Sequence, residues 1–428
     1  MTSAVQDESC PQATCLMRAG LRSQILLPLR LQGQHLRGIL LLQRRQVGAS
    51  MHHSPDSNSQ VSTALGALVA ANEKFAIRSG GHAPLAGSSN IHGRMTIELS
   101  LLDSVRFDSA SETVGFGPGV RWKHVYAEVQ KHGRVVAGGR EGETGVAGLL
   151  LGRGKTWMTA RKGFACDNVA AFEVVLADGL IVTADQNTHA DLFRALKGGS
   201  NNSGSWSASH EHHPLRACLG RFHREPEGVY AQCYPDNGVF TERVAGNLDS
   251  SIITVISHIP LVKDVVAGAA LTQPGSSLRW RWDSIQLCLM IINEHTMSKA
   301  AKVHDRLVEE LKSYVPDGSR RNVLGLERNT SDGILLHMNT MVKTLDRKEF
   351  SHPKVKACIR AIEEYAATIN GGLLEWLYLD YADESQDVLR SYGAENAELM
   401  RAVSRKYDPQ QVFQCFCPSG FKLVDVML

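Results

Sequence analysis

The chain lacks most of the features that mark a site by composition alone. Its nine cysteines (Cys10, Cys15, Cys166, Cys218, Cys233, Cys288, Cys358, Cys415 and Cys417) are an odd number, scattered, with no Cys-x-x-Cys pair among them. That argues against a disulfide framework and against a zinc site. No apolar run is long enough to span a bilayer, and Met1 to Glu8 is acidic where a secretory leader would be basic, so neither a membrane span nor a signal peptide is expected. Neither sign of charge is in excess: 46 Lys and Arg stand against 44 Asp and Glu, a formal net charge of +2. Nothing therefore favours nucleic acid or an anionic membrane, and the expected partner is a small molecule. The pattern does not bear on oligomeric state. At 428 residues the chain has room for two or three domains, each with its own core.

What the chain does have is glycine in two dense stretches. The first follows a short apolar run, Phe75 to Ile77, which reads as a strand and discharges into Arg78-Ser79-Gly80-Gly81-His82 and then Ala86-Gly87-Ser88-Ser89-Asn90. Two successive residues without side chains allow positive φ and let backbone N–H groups converge on an anion. A plain turn and a solvent-facing histidine account for the same residues. The second stretch runs from Gly138 to Gly154. Its end, Gly154-Lys155-Thr156, suggests a phosphate loop, but that pattern requires glycine at 149, where this chain has Leu149, and a buried strand before it. A nucleoside-triphosphatase is excluded on that ground.

Around these stretches the periods are clear in places. Val61, Leu65, Leu68 and Val69 share a helical face, with Ser57, Asn58 and Ser59 as cap candidates. Met95 to Leu99 and Thr113 to Val120 read as strands, and Trp122, Val125, Tyr126 and Val129 as a helical stripe stopped by Gly133. Phe172 to Thr183 reads as a hairpin turning at Asp178-Gly179, and Asp191 to Leu196 as a helix with a glycine stop. Residues 1–55 have no clear period and are expected to be irregular, and 203–234 show neither strand nor helix pattern. His210, His212 and His213 lack metal-ligand spacing, and Pro214 occupies the second histidine position of a His-Glu-x-x-His motif, so a solvated loop is the better reading than a metal hydrolase. Beyond Val239, strands are expected at 251–256, 277–292, 333–343 and 373–383, and helices at 298–314, 353–369 and 395–405.

Taken together, these motifs resemble the FAD-linked oxidoreductases of the vanillyl-alcohol oxidase and berberine-bridge-enzyme type. The resemblance covers roughly 56–202 and 236–423. It implies that Arg78, Ser79, Gly80, Gly81, His82, Gly87 and Ser88 form the flavin-attachment loop, with His82 bonded covalently to FAD. A second flavin loop is implied at Gly145, Gly148, Gly152, Gly154 and Thr156, with Arg153 where the family has a middle glycine. The position of a second, cysteinyl flavin bond found in some members is held by Glu141, so one covalent bond at most is expected, and Cys166 reads as a buried structural thiol. Gly163 to Thr183 is the most specific match, and it places Asp167, Asn168 and Val169 beside the adenine and ribose of FAD. Tyr378-Leu379-Asp380-Tyr381-Ala382-Asp383 resembles the family's Tyr-x-Asn-Tyr-x-Asp. It implies a tyrosine base, Tyr381 ahead of Tyr378, since in a regular strand only one of the two could face the flavin. Tyr407 to Gln414 and Pro418 to Lys422 match the closing motif, with Ser419 in place of a glycine.

The implied fold is α+β: a two-subdomain, PCMH-type FAD-binding domain plus an α+β substrate domain with antiparallel sheet. The expected boundaries are an irregular segment at 1–55, the FAD domain at 56–235, the substrate domain at 236–404, and a tail at 405–428 closing on the FAD domain. Residues 203–235 replace a family strand along the flavin and read as a frame-shifted or mis-spliced stretch. The expected function is oxidation of an alcohol, sugar or natural product by hydride transfer to flavin N5, with oxygen as acceptor. The alternative is a flavin-less remnant acting as a scaffold.

Overall fold

The structure is a computed structural model. It describes residues 11–21, 51–206 and 373–426, short backbone stretches at 25–26, 215–216, 219–220, 251–259, 264–272, 274–275 and 290–292, and scattered positions between 335 and 368.

Four strands form the sheet that carries the first glycine loop, in the order Ile25–Leu26, Met51–His53, Met95–Glu98 and Phe75–Arg78. The last three are parallel, with Phe75 opposite Met95 and Ile77 opposite Ile97. The helix Asn58–Ala70 covers the sheet because Val61, Ala64, Leu65 and Leu68 fall on one face, and all four are buried together with Phe75, Met95 and Ile97. Its first turn follows Ser57 in extended backbone.

The expectation of an irregular segment over 1–55 is corrected here. A helix, Pro11–Arg18, places Leu16 in the same core, and Met51–His53 is an inner strand with all three residues buried. Two consecutive histidines hid that strand, because buried imidazole reads as polar in any hydropathy pattern.

A second core forms around the helix Trp122–Lys131, whose Trp122, Val125, Tyr126 and Val129 are buried as their spacing predicts. Two hairpins flank it: Val105–Asp108 with Thr113–Phe116, and Ala171–Val175 with Ile181–Asp185. The latter turns at Asp178-Gly179, where Gly179 takes φ +85°. Ser205–Trp206 adds to its other edge, antiparallel to Val174 and Val175. The absence of strand expected from residue 203 onward is thus corrected at its start, since two residues are too few to show a period. Short strands also occur at Leu215–Arg216 and Leu219–Gly220. The rest of 203–235, with the 210–213 histidines, lies outside the described residues.

In the expected substrate region Ser251–Ile259, Asp264–Thr272 and Met290–Ile292 pair antiparallel. The described positions from 349 to 367 are helical, in line with the helix expected at 353–369. The helix expected at 298–314 and nearly all of the strand expected at 333–343 lie outside the described residues. The strand expected at 373–383 is not formed: 373–378 pair with none of the described strands, and the chain then turns through a 3-10 helix, Leu379–Tyr381.

The C-terminal segment returns to the first sheet. Ala394–Tyr407 lies against Ala190–Leu196, where Tyr407 donates to Asp191 at 2.8 Å and Lys406 lies 2.7 Å from the same carboxylate. Phe75 N–H donates to the Phe416 carbonyl at 2.8 Å, joining the tail to the glycine-loop strand. Asn202 clasps the tail: its amide donates to Phe421 O at 2.8 Å and its Oδ1 accepts from Gln414 at 2.9 Å. Asp408, fully buried, accepts from Val412 N–H at 2.7 Å and Phe413 N–H at 2.8 Å and so starts the helix Val412–Cys415. Replacing Asp408 by Ala strands both donors, so Asp408→Ala should lower stability by roughly 1–3 kcal/mol, read as a lower midpoint in thermal or urea unfolding.

Candidate functional site

The two glycine loops meet backbone to backbone. Gly80 leaves no room for a side chain because the Gly145 backbone fills the space, and a Cβ on Gly145 would lie 2.5 Å from Gly80 N. Ser79 fixes the turn by donating to the Pro118 carbonyl, and Gly81 follows at φ +64°. Arg78 Nε stays at the strand end, 3.0 Å from Glu98. The turn delivers His82 with about half its side chain exposed (48%) and its Nε2 3.7 Å from Glu141. Burial pulls the imidazole pKa down, Glu141 pulls it up, and Arg121 pushes it down again, with a net lowering that keeps the ring neutral at pH 7. Glu141 is itself oriented by the Glu143 N–H at 2.9 Å and the Thr144 hydroxyl at 3.1 Å. Farther along, Gly87 takes φ +81° against Ser419, whose hydroxyl donates to Ala86 O at 2.7 Å and lies 3.2 Å from Ser88 Oγ.

From Gly145 the second loop enters a short helix, Val146–Leu151, with Val146, Ala147, Leu150 and Leu151 buried. Gly148 faces the other way, exposed, with nothing within 4 Å of where a Cβ would be. Gly152 has no such space, because the Asp380 carboxylate occupies it. Arg153 keeps the φ of a glycine, +86°, and is completely buried. Its guanidinium lies over Tyr392 at 4.1 Å and Trp376 at 5.2 Å, and its stem lies against Gly198. The arginine that replaces a family glycine is therefore turned into the core, and its stacking offsets a backbone strain of about 1–2 kcal/mol.

Gly154 N–H donates to Asp380 at 3.3 Å, and Lys155 N–H donates to the Tyr378 hydroxyl at 2.6 Å. Thr156 is buried and binds its own turn, accepting from Met158 N–H at 2.8 Å. Asp167 and Asn168 brace the next loop. Asp167 accepts from Phe164 N–H at 2.8 Å, and Asn168 donates to Lys162 O and Phe164 O at 2.9 Å each. Burial raises Asp167 to about 6. Val169 is buried, and Cys166 is a buried free thiol, as expected.

The 3-10 turn at 379–381 removes the alternation that would have put Tyr378 and Tyr381 on opposite faces. Their rings meet edge to face, 4.9 Å apart. Tyr378 is buried and its hydroxyl is committed, donating to Asp380 at 2.7 Å while accepting from Lys155 N–H. Tyr381 is only half-buried; its ring stacks on His337 at 4.2 Å and its hydroxyl accepts from Arg140. Arg140, which contacts Tyr381, and Glu141, which contacts His82, are consecutive residues of the second glycine stretch. Asp383 turns away to His352 at 2.7 Å and Lys356 at 3.3 Å.

A family model described as an FAD binding domain matches residues 50–185. The FAD-dependent monooxygenase drtC of Aspergillus calidoustus is 30% identical over 87% of this chain and 82% of its own length. The chain belongs to the FAD-linked oxidoreductases. The Physcomitrella patens BBE-like 1 protein shares the fold, with a TM-score of 0.65 at 14% identity over 94% of this chain and 97% of that one. So does a glucooligosaccharide oxidase from Acremonium strictum, described with 6-S-cysteinyl, 8α-N1-histidyl FAD: TM-score 0.59, 17% identity, 94% and 97% covered. The fold is thus that of the PCMH-type flavoproteins of the vanillyl-alcohol oxidase family.

The residues fit the cofactor. An FAD-linked oxidoreductase needs bare backbone beside its flavin, and Gly81 and Gly148 offer it, one by positive φ and the other by open space. The sequence had placed the tyrosines but not their partners. Arg140, Lys155 and Asp380 were given no role there, since what each touches depends on contacts across more than 200 positions.

Asp380 is raised to about 7 by burial, against the donors Tyr378 and Gly154 N–H and the nearby Arg153, which favour its anion. A carboxyl whose folded pKa is raised binds its proton more tightly when folded, so the stability it contributes is complete near pH 4 and is lost as pH rises through 7. Asp380→Asn should remove that dependence: between pH 4 and 7 the wild-type melting temperature should fall relative to that of the variant.

Proposed function

We propose that the protein oxidises a hydroxyl-bearing organic substrate, with FAD attached at His82 and Tyr381 as the base. The observation that carries this reading is Tyr381 held by Arg140, one residue from the Glu141 that contacts His82. When bound, FAD supplies a two-electron acceptor that takes a hydride at N5 and passes the electrons to oxygen. Tyr381, as the phenolate that the Arg140 guanidinium would stabilise, would take the substrate's hydroxyl proton and become the neutral phenol. Tyr378, its hydroxyl committed on both sides, holds the Gly154-Lys155 backbone and acts as a positioning residue. The relative drtC is named a monooxygenase and the Acremonium protein an oligosaccharide oxidase. Alcohols, sugars and natural-product rings are the substrate classes consistent with those names. The contacts of the tail with Phe75 and Ser88 support a tail that closes on an FAD domain, whose start moves from the expected 56 to include Met51–His53, with a substrate domain at 236–404.

Glu141 stands where a cysteinyl bond would form, which leaves His82 as the single attachment point. A neutral imidazole is the form that can bond a flavin methyl carbon, and the lowered pKa of His82 keeps it available. Acid-precipitated protein should stay yellow, with the flavin mass on the tryptic peptide containing His82, and His82→Ala should release all its flavin in acid. Colourless wild-type precipitate would overturn the attachment.

The two tyrosines separate in a reduction assay. Tyr381→Phe should slow flavin reduction by roughly two to four orders of magnitude at normal flavin content, as expected for loss of a general base. Tyr378→Phe should lower thermal stability and reduce the rate far less. Parent-like rates in both variants would move the base elsewhere.

A further inference from the structure

Beside the histidine that would carry the flavin stands a carboxylate, with Glu141 Oε2 at 3.7 Å from His82 Nε2. Glu141 is held there through both oxygens: Oε1 accepts the Glu143 N–H at 2.9 Å, and Oε2 accepts the Thr144 hydroxyl at 3.1 Å. The turn that carries it is pinned to the start of the helix Trp122–Lys131, where Lys123 N–H donates to Gly142 O at 2.9 Å and Trp122 N–H to Thr144 O at 3.1 Å. His82 is set by the packing of Gly80 on Gly145, the residue that follows this turn. Glu143, the other carboxylate of the turn, is taken up by Lys123 at 2.6 Å and Arg121 at 3.8 Å.

Stability does not account for the pairing. Both side chains are about half exposed, where even a full ion pair contributes little, and the imidazole is neutral at pH 7. What a carboxylate does beside a neutral imidazole is select its tautomer. The nitrogen that faces Glu141 is Nε2, so a proton there is favoured and Nδ1 keeps its lone pair. The separation of 3.7 Å is longer than a hydrogen bond, and contacts of this kind shorten when the reacting partner is bound.

We infer that Glu141 is the positioning residue and proton acceptor for flavin attachment: it holds the Nε2 proton of His82, presents Nδ1 to the flavin 8α-methyl carbon, and takes that proton as the bond forms. The inference rests on the reading of His82 as the attachment point. The Nδ1 lone pair forms the new bond to carbon, the methyl group gives up one hydrogen as a proton, and the electron pair of that C–H bond stays on the flavin. Molecular oxygen then removes the two electrons and, with the two protons released from methyl and ring, becomes hydrogen peroxide. A ring bonded at Nδ1 that kept its Nε2 proton would be a cation, and the other charge acting on it is the Arg121 guanidinium, which disfavours that form. Glu141 removes the conflict by accepting the proton.

The test uses the full chain, wild type and variants, each purified and incubated with excess FAD under air from pH 5 to pH 9. Covalent flavin is read as the fluorescence that stays with the protein after acid and a denaturing gel, with His82→Ala as the blank. At pH 7 Glu141→Gln, equal in shape but unable to take the proton, should attach flavin roughly a hundredfold more slowly than wild type, and Glu141→Asp should recover most of the rate. Between pH 7 and pH 9 the deficit of Glu141→Gln should shrink, because hydroxide can take the proton instead. A wild-type rate in Glu141→Gln would overturn the inference. So would an equal deficit in the Asp and Gln variants at every pH, the result expected if Glu141 only holds its loop. Should Glu141→Gln melt well below wild type, Glu141→Ala decides: added formate should restore its rate, and no response to formate would overturn the inference. Wild type that binds FAD but releases all of it in acid would instead strike at the attachment to His82 itself, a failure that shows before any Glu141 variant is compared.

Discussion

The contact on which the site depends is the one between Gly80 and Gly145. Each occupies the space a side chain of the other would need, so the strand-end loop and the helix-start loop approach to a distance that only two glycines permit. His82 and Gly148 then sit on adjacent turns. One Cβ at either position would have to displace backbone, which yields far less readily than a flexible side chain.

The second organising feature is the return of the C-terminal segment. Asp380 enters the hollow left by Gly152, Tyr378 accepts the Lys155 amide, and Ser419 reaches the 86–88 turn. Arg153 shows how tightly this segment is bound to the loop. Burying a guanidinium is unfavourable in itself, and here it is surrounded by Tyr392 and Trp376, whose ring faces are negative. The arginine thus joins the second glycine loop to Trp376 and Tyr392, far along the chain, where a glycine would make no such link.

Charge then sets what the arrangement can do. Asp380 accepts the Tyr378 hydroxyl and holds its proton to near neutral pH, whereas Arg140 donates to the Tyr381 hydroxyl. The two tyrosines therefore differ in their charged partner, a carboxyl for Tyr378 and a guanidinium for Tyr381.

By itself the sequence determined the elements whose patterns are local. The helices at 58–70 and 122–131 follow from apolar spacing, the 171–185 hairpin from its Asp-Gly turn, and the two glycine loops from residues that tolerate positive φ or close approach. Where a pattern was short or chemically disguised it failed: Met51–His53 carries two buried histidines, Ser205–Trp206 is two residues long, and the 373–383 alternation pairs with none of the described strands. Only the tertiary structure decided that the Tyr378 and Tyr381 rings meet, that Arg153 points into the core, and that Arg140, Lys155 and Asp380 contact the two tyrosines. The physical reason is that a side chain's role at such a site is set by what is packed and charged around it, and those neighbours come from parts of the chain that no local period connects.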